Sequence, residues 1–258
     1  MLTAQQKQTF AQDGLLHLPG LIDTDLVTKV RVLLWRHLES RLICRDDPGS
    51  WPRGLVSKLQ AVSAHHSVQD LCVDSVWRVA GDLMGAQSLA GTSAQLVQLL
   101  VSFPDADNWQ VPAKMWHLDI PRLTDGARRP GVQPFFFLDE VAPGGGGTVV
   151  VAGSHRLLVG QGQRIASADV KVALAKRYDW FADLMNKSDT DRGRFLQVGG
   201  NADDVPVRVV ELTGKPGDVV LMDMRALHAP APNASGQPRL MATARLIDQD
   251  LVPELYGA

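Results

Sequence analysis

The most informative residues of this 258-residue chain lie in the stretch Trp116-His117-Leu118-Asp119. We expect residues 113–120 to form a β-strand, and residues two apart on a strand point to the same face. An imidazole nitrogen of His117 and a carboxylate oxygen of Asp119 would then be directed at one point. They would supply two of the three ligands of a 2-His-1-carboxylate iron site, which requires a second histidine elsewhere in the chain.

The second histidine is His228, which follows a turn at Gly217 and an apolar run at residues 219–223. This order predicts a turn, a buried strand and a histidine close to the end of that strand. Arg239 comes later and opens another apolar run, residues 240–247. Because a buried guanidinium presents a planar fork that matches a carboxylate, Arg239 is a candidate for binding an organic acid.

These residues, in this order, resemble the arrangement in iron(II)/2-oxoglutarate oxygenases. Residues 143–155 (PGGGGTVVVAGSH) resemble the glycine-rich turn, strand and Pro-Gly-Ser-His segment of the phytanoyl-CoA dioxygenase family, and residues 10–20 resemble its N-terminal strand. The resemblance covers residues 8–247. Ala152 stands where the family usually has proline, and Leu118 where it commonly has glutamine. Neither departure removes a predicted ligand, so both leave the substrate open rather than the chemistry.

The resemblance implies a role for each central residue. His117, Asp119 and His228 would bind Fe(II). Arg239 would bind the distal carboxylate of 2-oxoglutarate, and the Thr148 hydroxyl would donate to the same co-substrate. With O₂, such a site hydroxylates an unactivated C–H bond and releases succinate and CO₂; desaturation or ring formation are the variants of this reaction. Related halogenases replace the carboxylate ligand by a small residue, so the presence of Asp119 disfavours halogenation.

Four residues on or beside the expected strands are candidates for substrate contacts at the cavity mouth, because strand side chains alternate inward and outward. They are Gln98, Ser102, Lys114 and Trp116. Arg245 shares the face of Arg239 if the strand is regular, which makes it a second, weaker candidate for the co-substrate. Residues 180–205 are long, polar and broken by glycine, which predicts a lid. Its apolar underside would be Trp180, Phe181 and Phe195.

The apolar pattern predicts a fold that is mostly β with flanking α. Helices are expected at residues 3–12, 23–42, 68–83 and 165–185, the first capped by Thr3 and Gln6. Strands are expected at residues 15–18, 96–103, 113–120, 132–138, 148–152, 207–212, 219–223 and 240–247. This order predicts one domain, residues 1–258, built as a double-stranded β-helix of the jelly-roll type. The N-terminal and inserted helices would pack on one face.

Composition narrows the class of protein. A net charge of −2 gives no basic field for nucleic acid or an anionic membrane. The apolar runs fall short of the ~18 residues that span a bilayer. The chain has two cysteines, Cys44 and Cys72, and a polar N-terminus, which together predict a cytoplasmic protein. We expect a monomer or weak homodimer that acts on a small molecule.

The sequence leaves three hypotheses for the function and its substrate. A small metabolite or natural-product intermediate is favoured by the compact length. An acyl-CoA 2-hydroxylase of the phytanoyl-CoA type is the alternative, although it would need several Lys or Arg at the pocket rim and the sequence singles out no such cluster. Arg122, Arg128 and Arg129 could meet an anionic substrate. The third hypothesis is that the protein is not an oxygenase but an isomerase or a binding protein with the same fold.

Overall fold

The computed structural model describes residues 2–86, 88–91, 96–123, 128–158 and 166–256. Its helices are α1 (Ala4–Asp13), α2 (Thr24–Glu39), α3 (Gln60–Ser63), α4 (His66–Gln69), α5 (Asp74–Met84), α6 (Ser167–Arg177), α7 (Asp179–Met185), α8 (Arg194–Gln197) and α9 (Val252–Tyr256). Its strands are β1 (Leu15–Leu18), β2 (Gly54–Leu55), β3 (Leu89–Gly91), β4 (Gln98–Phe103), β5 (Gly131–Phe137), β6 (Val149–Ala152), β7 (Gly200–Ala202), β8 (Val205–Glu211), β9 (Val219–Asp223), β10 (His228–Ala229), β11 (Arg239–Thr243) and β12 (Leu246–Asp248). Short 3₁₀ helices cover Pro48–Ser50, Ser154–Leu158 and Gln249–Leu251.

The strands form two antiparallel sheets that enclose the core. The larger sheet has the order β1-β9-β5-β11-β4-β2, with β12 pairing to both β5 and β3. The smaller sheet has the order β10-β6-β8-β7. The central strands β5, β6, β9 and β11 are buried along their whole length, as expected for runs of Val, Leu, Met and Phe covered on both faces. The predicted jelly-roll class, mostly β with flanking helices, is confirmed.

Alternation along β4 shows how the larger sheet divides inside from outside. Leu99, Val101 and Phe103 pack in the cluster that contains α2 and α5, whereas Gln98 and Leu100 face the interior cavity. The N-terminal helices therefore cover the outer face of the larger sheet. The inner face of the larger sheet remains available to line the cavity.

The inserted helices pack elsewhere. Apolar residues of α6 and α7, including Leu174 and Phe181, form one cluster with Val149 and Val151 of β6 and Val209 of β8. These valines point outward from the smaller sheet, which gives it a second apolar surface to cover. The two groups of helices thus lie on different sheets, unlike the single shared face that we expected from sequence.

The N-terminal helix begins and ends as predicted. The Thr3 hydroxyl accepts from Gln6 N–H, and the Gln6 side chain accepts from Thr3 N–H, which completes a capping box. Gly14 ends the helix with φ +71°, in the left-handed region that glycine adopts without strain. A Cβ there would lie 2.6 Å from Nδ1 of His155, so this close approach also requires glycine.

The expected strand at residues 113–120 is wrong. The segment makes one bridge, between His117 and His228, and Met115 within it has φ +68°. Trp116, Leu118 and Ile120 are nevertheless buried in alternation, which is the pattern that suggested a strand. The alternating burial is present, but in the part of the chain that the structure describes no neighbouring strand forms a hydrogen-bonded ladder with this segment.

Two other expectations change in detail. The run at residues 240–247 is two strands, β11 and β12, interrupted at Ala244 and Arg245. The predicted lid, residues 180–205, contains α8 and β7. Among the helices that the structure describes, none is long and apolar enough to cross a membrane.

Candidate metal centre

The three predicted metal ligands come together at one end of the cavity between the sheets. His117, Asp119 and His228 each place one ligand atom within 4.8 Å of the others. Nε2 of His117 lies 3.8 Å from Oδ1 of Asp119, and Nε2 of His228 lies 3.5 Å from Oδ2 of Asp119. Ligands bound at about 2.1 Å and at right angles would lie about 3 Å apart, so a small inward movement forms the set.

His228 is positioned by the turn that joins β9 to β10. Asp223 ends β9, and its carboxylate accepts from the Arg225 N–H at 3.0 Å inside that turn. On the other side, the Ser154 hydroxyl accepts from the Leu227 N–H at 2.9 Å. The turn is therefore fixed immediately before His228, and Ser154 of the Gly-Ser-His segment has a structural role.

A buried ion network supports the same turn. The Asp223 carboxylate is fully buried and accepts from Arg225 Nη2 at 2.9 Å and from Arg129 Nε at 2.7 Å. Burial opposes ionisation of Asp223, but Arg225, with His155 and Arg129, holds its pKa well below the usual range. Arg129 is thus committed to this network rather than to an anionic substrate.

His117 is held against His228 by backbone hydrogen bonds in both directions. His117 N–H donates to the carbonyl of His228 at 2.9 Å, and His228 N–H donates to the carbonyl of His117 at 3.1 Å. The ring centroids are 4.3 Å apart. This bridge ties the irregular segment, residues 113–120, to the edge of the smaller sheet.

Both imidazole rings are oriented through Nδ1. His117 Nδ1 lies 2.7 Å from the carbonyl of Met115, and His228 Nδ1 lies 3.1 Å from the carbonyl of Ala226. Because a carbonyl only accepts, Nδ1 carries the proton in each ring and a neutral ring keeps a lone pair on Nε2. Burial, then the nearby charge of His228, lowers the pKa of His117, which favours the neutral form.

The Asp119 carboxylate is fixed from the opposite side. Its Oδ2 accepts from Gln133 Nε2 at 2.7 Å and forms an ion pair with Arg245 Nη2 at 2.9 Å. Burial opposes its ionisation, but His228, Arg245 and Gln133 together outweigh burial and hold the pKa of Asp119 well below the usual range. The group is therefore a carboxylate at neutral pH.

A cavity of about 180 Å³ adjoins the three residues. The side chains that line it beyond them are Leu55, Gln98, Leu100, Gln133, Phe135, Thr148, Pro230, Arg239, Thr243 and Arg245. Arg239 is 3% exposed and donates from Nη1 to the carbonyl of Gly146 at 2.8 Å, while its Nε has no partner among the described residues. Burial lowers the pKa of Arg239 to about 10, which the charge of Asp105 partly offsets.

Some predicted contact residues reach this cavity and others do not. Gln98 and Thr148 line it, and Ser102 lies directly opposite Arg239 in the β4–β11 register. The Ser102 hydroxyl is buried without a partner among the described residues. Lys114 and Trp116 line a different cavity, on the far side of the ligand segment. Both differ in parity from His117 and Asp119, so alternation along the segment directs them to the opposite side.

The sequence did not indicate Gln133 as a site residue, and it predicted Arg245 only as a weaker candidate for the co-substrate. Gln133 is the one polar side chain within the buried strand β5, 2% exposed among Val and Phe. That isolation is the signal which could have identified it. Arg245 follows β11 across the interruption at Ala244, so the assumption of a regular strand obscured its path to Asp119.

Two further expectations concern residues near the rim. Arg128 forms ion pairs with Asp248 and Asp250, so like Arg129 it is engaged within the protein rather than with an anionic substrate. In the predicted lid, residues 180–205, the rings of Trp180 and Phe195 meet edge to face at 5.6 Å. Arg192 of this segment is buried and donates at 2.9 Å to the carbonyl of Pro112. The segment is thus attached to the loop that precedes the predicted ligands.

Comparison with known families identifies the class. Residues 10–241 match the model of the family described as phytanoyl-CoA dioxygenase (PhyH). The chain therefore belongs to this family of iron- and 2-oxoglutarate-dependent enzymes. Among curated proteins, no sequence matches.

Solved structures show the same fold at low sequence identity. The carbocyclase SnoK from nogalamycin biosynthesis, described as non-heme and alpha ketoglutarate dependent, has TM-score 0.61 and 19% identity over 96% of this chain and 84% of its own. The epimerase SnoN, in complex with Fe3+, alpha ketoglutarate and nogalamycin RO, has TM-score 0.57 and 17% identity over 95% and 82%. HygX from Streptomyces hygroscopicus, with nickel and 2-oxoglutarate bound, has TM-score 0.58 and 20% identity over 96% and 88%. The predicted cofactors agree with the groups that these proteins bind.

Proposed function

We propose that this protein is an iron(II)/2-oxoglutarate-dependent oxygenase that hydroxylates an unactivated C–H bond of a small organic molecule. The observation that carries the proposal is the convergence of His117, Asp119 and His228 within 4.8 Å, in a cavity that also contains Arg239. A metal-binding set and a buried cation in one small cavity match a metal chelated by an organic dianion.

The donor set fits iron(II). Two neutral imidazole nitrogens and one carboxylate are the ligands of the facial triad that leaves positions open on non-haem iron. The carbonyls of Met115 and Ala226 direct Nε2 of both rings inward. Gln133 and Arg245 occupy Oδ2 of Asp119, so its Oδ1 is the oxygen left without such donors.

The remainder of the cavity fits 2-oxoglutarate. Arg239 Nε and the Ser102 hydroxyl are buried polar groups without a partner among the described residues, and such groups are costly unless a ligand completes them. They lie opposite one another on adjacent strands. A carboxylate between them would accept from both, and Thr148 at the cavity wall could add a third donor.

The residues of the chain bind and orient the metal and the co-substrate and keep water away from the reacting groups. Iron(II) with 2-oxoglutarate and O₂ supplies, when bound, the oxidising power to remove hydrogen from an unactivated C–H bond, with release of succinate and CO₂. Arg239 fixes the far end of the co-substrate and so sets the direction of its keto-acid end. Leu100 and Phe135 present apolar surface to the cavity, which limits water around the reacting groups.

Ring closure and epimerisation are the competing outcomes. SnoK is described as a carbocyclase and SnoN as an epimerase, and both are described as dependent on alpha ketoglutarate. All three reactions begin with removal of hydrogen from carbon and differ in what happens next. Asp119 disfavours halogenation, and we take hydroxylation as the default outcome. Product mass separates the alternatives: hydroxylation adds one oxygen atom, ring closure removes two hydrogen atoms and epimerisation leaves the mass unchanged.

The test uses the whole protein and 2-oxoglutarate alone, since the substrate is unidentified. We expect the anaerobic protein with Fe(II) and 2-oxoglutarate to give the visible charge-transfer absorption of a keto-acid chelate, and exposure to air to release succinate slowly. 2-Oxoglutarate without iron is the control. If the protein binds neither component and yields no succinate, it shares the fold of these enzymes without their activity, and the proposal is wrong.

A further inference from the structure

A second cavity lies on the other side of the ligand segment from the metal centre. It measures about 430 Å³ and is lined by Ala113, Lys114, Met115, Trp116, Lys171, Val172, Ala175, Lys176, Met185 and Lys187. We call it the lysine cavity. Its volume falls within the range of small-molecule sites, roughly 300–1,000 Å³.

The fold gathers its four lysines from two segments that are far apart in sequence. Lys171 and Lys176 lie on α6, Lys187 follows α7, and Lys114 precedes His117. The chain has eight lysines, so half of them surround this one cavity although the net charge of the protein is −2. Three of the four lie within residues 171–187, and the fold brings Lys114 to them from the ligand segment.

The positive charge of the lysine cavity is uncompensated within the described residues. None of the four ammonium groups forms an ion pair there, and no lining residue is acidic. Arginines nearby are paired instead: Arg177 with Asp203 at 2.9 Å, and Arg194 with Asp189 at 2.8 Å. The carboxylates of Asp203 and Asp189 are thus held by arginine rather than by the lysines of the cavity.

Apolar side chains supply the rest of the lining. Met115 is 65% exposed and Val172 is 47% exposed, which is high for residues of their kind. On α6, Val172 and Lys176 are four residues apart and share one helical face, as do Lys171 and Ala175. Charge and apolar surface therefore alternate around the same opening. Such a surface complements a molecule that has both an apolar body and a negative charge.

We propose that the lysine cavity binds an amphipathic anion, namely the anionic end of the enzyme's own substrate, held away from the carbon that reacts. This rests on the proposed function, because it assigns the substrate class of that site. Phosphate, sulfate or carboxylate provides the charge, and an aliphatic or aromatic body contacts Met115 and Val172. Remote binding energy of this kind is what positions a bond for reaction.

Position along the chain connects the lysine cavity to the metal centre. Met115 lines the cavity, and its carbonyl accepts from Nδ1 of His117 at 2.7 Å. Two residues of extended chain span at most about 7 Å. The lysine cavity and the metal centre therefore adjoin the same short segment, in which the His117 side chain is partly exposed.

The test measures direct binding of decyl phosphate, below its micelle concentration, by calorimetry. We expect it to bind more tightly than either inorganic phosphate or decyl glucoside, and to weaken as salt rises. The double variant Lys171→Gln/Lys176→Gln should weaken binding roughly three- to thirtyfold, since each exposed charge contributes modestly. The matched control, Lys29→Gln/Lys215→Gln, makes the same charge change at two exposed lysines outside the cavity and should stay within about twofold.

A second variant tests the apolar part. Val172→Asp places a negative charge on an exposed position and should weaken decyl phosphate binding without unfolding the protein. Equal binding of decyl phosphate and decyl glucoside, or no response to the lysine changes, would overturn the inference. Binding only to anionic vesicles, and not to the monomeric anion, would overturn it as well.

The two proposals fail separately. Decyl phosphate binding needs no iron, so Asp119→Ala should bind it as the parent does. A protein that binds decyl phosphate but releases no succinate loses the proposed function and keeps the anion site. A protein that releases succinate but ignores decyl phosphate keeps the function and loses the anion site.

Discussion

The cavity between the sheets has two sides that are built differently. On one side, Gln133 and Arg239 project from long, fully buried strands of the larger sheet. On the other side, His117 and Asp119 lie on a segment with a single backbone bridge, to His228. Side chains that would hold the organic co-substrate therefore rest on regular strands, whereas the predicted metal ligands depend on a few specific contacts. Changes on the two sides should have different consequences for iron and for 2-oxoglutarate.

The largest effect is expected from Asp119→Ala on the irregular side. The change removes a ligand and the negative charge that offsets the metal, and it leaves Gln133 and Arg245 without their acceptor. We expect iron affinity to fall by at least about a hundredfold, because loss of outer partners alone costs ten- to a hundredfold. Succinate release should be abolished. Iron content after desalting and succinate yield are the measurements.

A control separates metal loss from unfolding. Asp25→Ala removes an exposed carboxylate from the first turn of α2 and should bind iron as the parent does. Both variants should give the circular dichroism spectrum of the parent. Near-normal iron content in Asp119→Ala would mean that the facial triad is assigned to the wrong carboxylate.

The second largest effect is expected from Arg239→Leu on the regular side. 2-Oxoglutarate would then bring a carboxylate into a buried position without a partner. Breaking such a pair costs about 3–5 kcal/mol, roughly a hundred- to several-thousandfold in affinity. Iron binding should survive, because Arg239 is not one of the three predicted ligands. The dependence of succinate release on 2-oxoglutarate concentration, measured beside iron content, tests this.

Arg239→Lys is the informative companion. An ammonium keeps the charge but lacks the bidentate fork, so we expect partial rescue only. Unchanged 2-oxoglutarate dependence in Arg239→Leu would move the assignment to Arg245, which lines the same cavity. Loss of iron together with 2-oxoglutarate would indicate that Arg239 is structural.

The same contrast explains what sequence could predict. Strands with neighbours on both sides, such as β5 and β9, have long apolar runs, and the sequence analysis located them to within a residue. The segment at residues 113–120 has strand-like burial without strand pairing, and pairing depends on distant chain that no local pattern reveals. Its parity still placed His117 and Asp119 on one side, because alternating burial of Trp116 and Leu118 does not need a ladder.

Contacts between distant segments could not be predicted from the sequence. The bond from Gln133 to Asp119 and the ion pair from Arg245 to Asp119 depend on how β5 and the end of β11 face the ligand segment. The lysine cavity likewise appears only when α6, α7 and residues 113–116 meet. Spacing along the chain predicted the metal ligands because their order resembles that of the family, whereas nothing in the sequence places Lys114 beside the lysines of residues 171–187.

An intermediate effect is expected when both ligands are added to the unmodified protein. Iron(II) and 2-oxoglutarate bind only the folded state, so at a hundredfold excess over its dissociation constant each would stabilise by about 2.7 kcal/mol. Together they should join the two sides of the cavity and raise the melting temperature more than either alone. Anaerobic thermal melts test this, with succinate in place of 2-oxoglutarate as the control. A melt that neither ligand shifts would count against the whole assignment.

The smallest effect is expected from Gln133→Leu, the residue that connects the two sides. Gln133 projects from the regular strand β5, yet its Nε2 donates to Asp119 at 2.7 Å and contacts Thr243 Oγ1 at 3.2 Å. Leucine is similar in volume, so the core should remain packed while the hydrogen bond to the carboxylate is lost. A hydrogen bond to a charged group is worth about 1.5–3 kcal/mol. Because Arg245 still holds Oδ2, we expect the lower end, about 1.5 kcal/mol or roughly tenfold in iron affinity.

The matched control for this change is Thr243→Val. It removes the other partner of Gln133 and leaves the bond to Asp119 in place, so iron affinity should change by less than about threefold if the carboxylate contact is what matters. Iron titration under anaerobic conditions measures both variants, and 2-oxoglutarate affinity measured at saturating iron should be unaffected by either. Equal losses of iron in the two variants would mean that Gln133 acts through packing of the larger sheet. A greater loss in Gln133→Leu would show that the regular side of the cavity reaches across to hold a ligand of the irregular side.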